Sequence, residues 1–444
     1  MIKSQFAVLM LAAASATWSQ PTYSRDISRI VQAKCQICHR PGDIAPFALM
    51  NYADAQVQGR AIRTAVAGHV MPPWKPVPGH GSFKGDLSLS DDQVQTILDW
   101  VDAGMPEGDP ADLPPAVVYT DEWRLGQPDQ VISMLAPYFP IPREDSSDRY
   151  RCFVIPSAVD QDRWVKSVDI VPGLRQFVHH VILYMTDDPT QIALTKQLED
   201  EDPDPGYDCW GGPRITPGVG SSLLKAAGGM LGGWVPGASP GVLPDTIGTF
   251  VPKGTYMIMQ VHYNMHHGDP PAPDLTRVGL YFHTAPPKNR LFSLPLLNDK
   301  FELQPGVMGQ QVDASFKLDF DSIGLPIPDS LAPKFSAVRV GPHMHTLGST
   351  IRADVIQPDG TQVPLIEIDA WDFHYQGFYD YSDLVQLPYH STIKASCTFD
   401  NTTDRVVRWG ESTEDEMCLV FVGFIAEGGI SFLLSNPSLL GRPL

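Results

Sequence analysis

The chain has 444 residues, 42 of them proline and 37 glycine, with 43% hydrophobic content and a formal net charge of −19. That length calls for two or three domains, and the proline and glycine content favours loop-rich β structure over a helical bundle. The acidic balance argues against nucleic acid or an anionic membrane surface as partner.

In chain order, the first segment reads as a targeting signal. Lys3 supplies the positive region, Phe6 to Ala14 the apolar region, and Ala14-Ser15-Ala16 the small-residue cleavage site, giving a signal peptide over 1–16. The apolar run is too short to span a bilayer, and no later stretch is a transmembrane candidate. The expectation is an exported protein, periplasmic or secreted, in which disulfides are permitted.

Residues 21–112 carry Cys35-Gln36-Ile37-Cys38-His39, the C-x-x-C-H pattern of covalent c-type haem attachment. Two thiols about one helical turn apart anchor the porphyrin, and the next residue offers an imidazole to the iron. Ser28 to Lys34 reads as the end of an amphipathic helix. Ser90 to Ala103, with Ser90 as N-cap and Gly104 as C-cap, reads as a closing helix. Met50, Met71 and Met105 are candidates for the sixth ligand. Met71, in Val70-Met71-Pro72-Pro73-Trp74, is preferred, with Trp74 available to pack on the porphyrin and His69 as the rival ligand. A His/Met haem would carry electrons.

Gly104 to Pro115 is rich in proline, glycine and acids and reads as a hinge. Beyond it, short apolar or alternating runs such as Tyr150 to Ile155, Phe177 to Met185, Tyr256 to Tyr263, Val338 to His345 and Met417 to Ile425 read as strands between turns. Ile192 to Leu198 reads as a helical turn or two, and Glu199 to Asp245 as an irregular surface stretch. The fold class expected is a small all-α cytochrome c domain (21–112) followed by two all-β jelly-roll sandwiches (116–290 and 291–444).

The 13 histidines are clustered. His343 and His345 sit two apart in a strand, so both face one side and can share a metal. His179 and His180 are adjacent, and a shared metal there needs a bulge or a strand end. His262 is a third imidazole, with His266 and His267 as competitors. Met417 adds a thioether. His283, His374 and His390 are read as structural. Two imidazoles with a soft thioether favour copper over zinc. Cys152, Cys209, Cys397 and Cys418 remain for two disulfides, with three connectivities open.

Residues about 117 to 435 resemble the copper type II, ascorbate-dependent monooxygenases. The ordered segments Tyr150-Arg151-Cys152, Val178-His179-His180-Val181, Gln260-Val261-His262-Tyr263-Asn264, His343-Met344-His345-Thr346-Leu347-Gly348 and Asp415-Glu416-Met417-Cys418 carry the resemblance. Ser396-Cys397-Thr398, with Asn401 and Arg405, adds to it. The resemblance implies two coppers facing a cleft. One, for electron transfer, is held by His179, His180 and His262; the other, for O2 and substrate, by His343, His345 and Met417. It implies a Cys397–Cys418 disulfide, leaving Cys152 with Cys209, and places Tyr150 and Gln260 near the electron-transfer copper.

The expected activity is hydroxylation of a C–H bond of a small, rather apolar organic substrate. Such a reaction needs two electrons, which copper passes singly. Peptide-amidating relatives carry an arginine where this chain has Gly341, and an asparagine and a tyrosine where it has Leu419 and Phe421, so their carboxylate clamp is largely absent. Electrons are expected through the haem from an external donor, ascorbate or a redox protein. The competing readings are a haem and copper electron-transfer protein without turnover, and a partner-binding sandwich.

Overall fold

In the computed structural model, residues 20–431 are described, apart from 120–122, 145–146, 157–158, 211, 216–228, 238, 266–269, 271, 320–326, 411 and 430. The expected signal segment, and His266 and His267, lie outside the described residues. The chain divides into two compact units. One comprises the chain up to Pro41, Ala45–Pro72 and Leu87–Val117; the other comprises Gly42–Ile44, Pro73–Asp86 and the chain from Val118 onward.

The expected fold class needs correction. The chain is mostly β-sheet with few helices, and 21–112 does not form a self-contained all-α cytochrome c domain, because Gly42–Ile44 and Pro73–Asp86 cluster with the β part. The physical reason is tertiary pairing. The proline-rich segment after Met71 reads locally as an extended part of the haem region, but Val77 N–H donates to the Glu367 carbonyl at 2.8 Å and Lys84 N–H to the Asp380 carbonyl at 2.8 Å. Phe83 is buried in the core of the β part. Trp74, expected against a porphyrin, instead packs edge-on against Tyr379 at 5.4 Å and lies 6.5 Å from Phe83.

The first unit holds α1 (Ser28–Lys34), α2 (Tyr52–Ala67) and α3 (Asp91–Asp102). Ser90 and Gln93 form a reciprocal capping box at the start of α3. Asn51 caps α2 by accepting from Asp54 N–H. Ile27, Ile30, Val31, Leu49, Val66, Ile97 and Trp100 form the unit's core.

The second unit begins with β1 (Gln130–Ser133), β2 (Asp148–Ile155), β3 (Arg163–Val171) and β4 (Val178–Thr186). A helix, α4 (Pro189–Glu201), follows; it is longer than the turn or two expected because Asp188 caps it and Pro189 starts it. Then come β5 (Tyr207–Asp208), β6 (Met230–Trp234), β7 (Ile247–Val251), β8 (Tyr256–Asn264), β9 (Arg277–Phe282) and β10 (Asn289–Arg290). These make two five-stranded sheets, ordered β1-β9-β3-β7-β10 and β5-β2-β8-β4-β6. Alternate residues from both sheets, among them Val165, Val278 and Leu280 from one and Val181, Met259 and Val261 from the other, meet in one core.

The remaining strands are β11 (Phe292–Asn298), β12 (Glu302–Leu303), β13 (Gln310–Lys317), β14 (Lys334–His343) and β15 (Gly348–Ile356). After them come β16 (Gln362–Ile368), β17 (Tyr379–Leu387), β18 (Thr392–Phe399), β19 (Val407–Arg408) and β20 (Cys418–Glu427). They form a second pair of sheets, β11-β20-β14-β17 and β13-β18-β15-β16, with β12 and β19 paired separately. Val340, Val422, Ile351, Ala395 and Phe399 are fully buried between them. A smaller apolar cluster of Leu243, Ile247, Val338 and Ile425 joins this pair of sheets to the first pair.

Candidate metal centres and cleft

The first cluster sits where β4 and β8 pair. His180 stands opposite His262, and the register slips between Val178 and His180. That irregularity is what the adjacent pair needs: in a regular strand His179 and His180 would face opposite ways. The ligand atoms of His179, His180 and His262 all lie within 4.8 Å of one another. His262 is held by Asp148, which accepts from its Nε2–H at 3.0 Å. The other ring nitrogen, Nδ1, is buried with no partner. A buried, orphaned imidazole nitrogen beside two more imidazoles is the donor arrangement of a metal site.

Tyr150 lies face to face with His262, centroids 4.1 Å apart. Gln260 directs its amide toward Cys209 Sγ at 3.9 Å, and both Tyr150 and Gln260 line the adjoining cleft. Burial would raise the pKa of Asp148, but hydrogen bonds from His262, Thr413 and Asn264 and the His262 charge outweigh it, leaving the carboxyl below its ordinary range. Burial, with neighbouring imidazoles, pushes His179 and His180 well below the ordinary histidine value, so both are neutral donors near pH 7.

The second cluster sits at the end of β14 and the start of β20. The rings of His343 and His345 are 5.1 Å apart and nearly perpendicular. Gln376 Oε1 accepts from His343 Nδ1 at 2.5 Å, and the Asp415 carbonyl accepts from His345 Nδ1 at 3.1 Å. Both bonds fix the tautomer that leaves Nε2 available. Burial lowers His343 to about 4, and burial with His343 nearby lowers His345 to about 3.

Met417 lines the same cleft as these two imidazoles. It is anchored by its neighbour Cys418, which is disulfide-bonded to Cys397, and the second disulfide joins Cys152 to Cys209. Glu416 clamps the loop. It is fully buried and accepts from the N–H groups of His345 at 2.8 Å, Leu347 at 2.5 Å and Met417 at 3.2 Å. Burial pushes its pKa up to about 7 against those bonds. Gly348 closes the motif because a Cβ there would lie 2.7 Å from Met344 Cε and 3.0 Å from Trp371. Trp371 in turn donates to the His345 carbonyl at 3.0 Å.

The two clusters share neighbours. Phe373 stacks on His179 at 4.4 Å and meets His345 edge-on at 5.8 Å. Thr413, in the loop before Met417, donates its N–H to Asp148 at 3.4 Å. A cleft of about 600 Å³ is lined by His180, His343, His345 and Met417, with Leu419, Phe421 and Phe378 on its walls.

In the first unit, Cys35 and Cys38 belong to neither disulfide. His39 Nδ1 donates to the Phe47 carbonyl at 3.1 Å, leaving Nε2 available. Burial, with Cys38 nearby, pushes the Cys35 thiol up to about 12. Met71 is half-buried and precedes a cis peptide bond to Pro72; Met105 Sδ packs over Gly59 of α2; His69 is exposed with a positive φ. Of the histidines read as structural, His283 bonds the Ile247 carbonyl, His374 bonds Asp372 and His390 bonds Asp329. Asp148, Phe373, Gln376, Asp415 and Glu416 were not singled out from sequence as functional positions. The one sequence signal for any of them is that Asp415 and Glu416 immediately precede Met417.

Two sets of imidazoles beside one cleft, one of them with a thioether, form a donor set suited to copper redox chemistry. Residues 327–432, which contain His343, His345 and Met417, match the family model described as copper type II ascorbate-dependent monooxygenase, C-terminal domain. A human protein named, by likeness, DBH-like monooxygenase protein 2 is 22% identical over 340 residues, covering 73% of this chain and 62% of the relative. The chain therefore spans less than two thirds of that relative's length. These two findings support kinship with the copper-dependent monooxygenases.

Among solved structures, the major capsid protein P2 of bacteriophage PM2 aligns at a TM-score of 0.25 and 9% identity, over 67% of this chain and 96% of its own. PNGF-II aligns at 0.24 and 8%, over 67% and 65%. Scores this low carry no argument. Among the described residues no helix is long and apolar enough to cross a membrane.

Proposed function

We propose that this chain is an exported dicopper monooxygenase that hydroxylates a C–H bond of a small organic molecule with O2. The observation that carries the reading is the convergence of His343, His345 and Met417 on a cleft shared with a second, fully imidazole cluster. His179, His180 and His262 hold one copper, and His343, His345 and Met417 the other. Bound copper supplies one-electron redox chemistry and, at the site with the soft thioether, affinity for O2 in its reduced state.

The protein's own part is orientation and exclusion of water. Asp148, Gln376 and the Asp415 carbonyl each fix one imidazole. The Cys397–Cys418 bond and the Glu416 clamp hold Met417 and the loop of His345 in place. Two disulfides in the folded chain agree with an oxidising compartment, secreted or periplasmic.

For the front unit, the proposed cofactor is a covalent haem on Cys35, Cys38 and His39, with Met71 as the second axial donor. Two cysteines outside both disulfides and the available Nε2 of His39 fit that attachment. Such a haem supplies single electrons. The external donor is ascorbate or a redox protein.

The test is oxygen uptake by the copper-loaded chain with ascorbate and isotopically labelled O2, across a panel of small organic compounds. One labelled oxygen atom per product molecule is expected. Uptake without label in any organic product would contradict the reading and favour an electron carrier.

A further inference from the structure

The cleft is cationic within an acidic chain. Among the described residues Lys84, Lys166, Arg290 and Arg339 line it against one carboxylate, Asp380, although the chain as a whole carries −19. Arg339 is already engaged, its Nε donating to Asp380 at 2.8 Å. Arg290 is not. Its guanidinium lies over Phe250 at 5.5 Å and Phe292 at 5.3 Å, and no hydrogen bond or ion pair holds it among the described residues. Burial pushes its pKa down, opposed by the charge of Asp187. Aromatic faces hold a guanidinium's plane and leave its N–H edge free for a planar anion.

The strands measure how far this group lies from the metal ligands. On β14, His343, Gly341 and Arg339 alternate along the cleft; Met417, just before β20, and Leu419, Phe421 and Gly423 on it do the same, with His343 paired to Leu419 and Arg339 to Gly423. At ~3.3 Å per residue, Arg339 lies about 13 Å along the strand from His343. Phe292, two residues after Arg290, pairs with Phe424. By the same measure Phe424 lies about 23 Å from Met417.

The wall between these ends is apolar. Phe378 fills the space above Gly341, where a Cβ would come within 2.5 Å of its ring, and it lies 5.8 Å from Phe421.

We infer that Arg290 is an anion-recognition subsite at the end of the cleft remote from His343 and Met417, and that the substrate is an elongated amphipathic carboxylate. Its carboxylate meets Arg290, its apolar body lies along Phe378, Phe421 and Leu419, and its far end reaches His343 and Met417. That the far end is the part oxidised rests on the monooxygenase reading; the binding does not.

The test measures binding of dodecanoate, dodecanol and butanoate to the full-length copper-free chain by calorimetry, so that no turnover enters. Dodecanoate is expected to bind about tenfold or more tighter than dodecanol, as a charged hydrogen bond gives, and tighter than butanoate. Arg290→Gln should remove the preference for acid over alcohol, and Arg290→Lys should retain much of it. Equal binding of acid and alcohol by the unmodified chain would overturn the proposal, and needs no variant to fold. So would an unchanged preference in Arg290→Gln. With copper and ascorbate restored, tight binding of octadecanoate, whose longer extended chain covers the span from Arg290 to Met417, without hydroxylated product would sink the monooxygenase reading and leave the subsite standing.

Discussion

The imidazole of His179 and the ring of Phe373 lie face to face, centroids 4.4 Å apart and planes 18° apart. The same phenyl ring meets His345 edge-on at 5.8 Å. One buried aromatic ring therefore touches a histidine from each cluster, and fixes how the two clusters stand relative to each other. Phe373→Leu keeps most of the apolar burial and removes the stacking, at a cost of about 1 kcal/mol in unfolding free energy. Copper content should stay unchanged while substrate-dependent oxygen uptake falls several-fold. Unaltered uptake would show that the ring only packs.

Asp148 fixes His262 through a 3.0 Å bond and is itself reached by Asn264 Nδ2 at 2.9 Å. Removing a group that orients a metal-bound histidine costs about 10- to 100-fold in metal affinity. Asp148→Ala should therefore weaken copper at the first site by that factor, and Asp148→Asn, which keeps an acceptor, by less. Competitive copper titration separates the two sites; equal weakening at both would assign Asp148 to the fold as a whole.

The Cys397–Cys418 bond closes a span of 21 residues beside Met417. Replacing both cysteines by serine should cost about 2–4 kcal/mol in stability. It should also weaken copper binding at the second site more than at the first, because Cys418 adjoins Met417. Denaturation and copper titration on the same preparation check both parts.

Asp274 gives the pH dependence its sign. It accepts from the Tyr263 hydroxyl at 2.8 Å, the Thr276 hydroxyl at 2.8 Å and Leu174 N–H at 3.0 Å. Burial still raises its pKa above the ordinary carboxylate range. The folded state thus holds the proton to higher pH than the unfolded chain does. Its contribution to stability is full below the ordinary carboxylate pKa and is lost as pH rises through the raised value. Asp274→Asn should flatten that slope in urea midpoints measured between about pH 4 and about pH 8. A slope identical to that of the unmodified chain would place the pH dependence elsewhere.

Much of the site was legible from strand patterning. His343 is the last residue of β14 and His345 lies just beyond it, so the strand expected to carry both stops short, whereas the bulge that His179 and His180 require appears as the register slip before His180. What escaped notice has no period. Asp148 meets His262 across 114 residues of sequence, and Gln376 meets His343 across 33. Phe373 lies in a loop between strands.

The front of the chain failed for a related reason. Local pattern made Pro73 to Asp86 a tail of the haem region, but backbone pairing at Val77 and Lys84, with Phe83 buried in the second core, ties it to the β part. Tertiary contacts of that kind leave no mark on local composition.

Copper stoichiometry tests the central claim most directly. The full-length chain, loaded under anaerobic conditions and freed of loosely bound metal, should carry two coppers. His262→Ala and His343→Ala should each carry one, and the double variant none. A single copper in the unmodified chain, or two retained in either single variant, would contradict the two-site account.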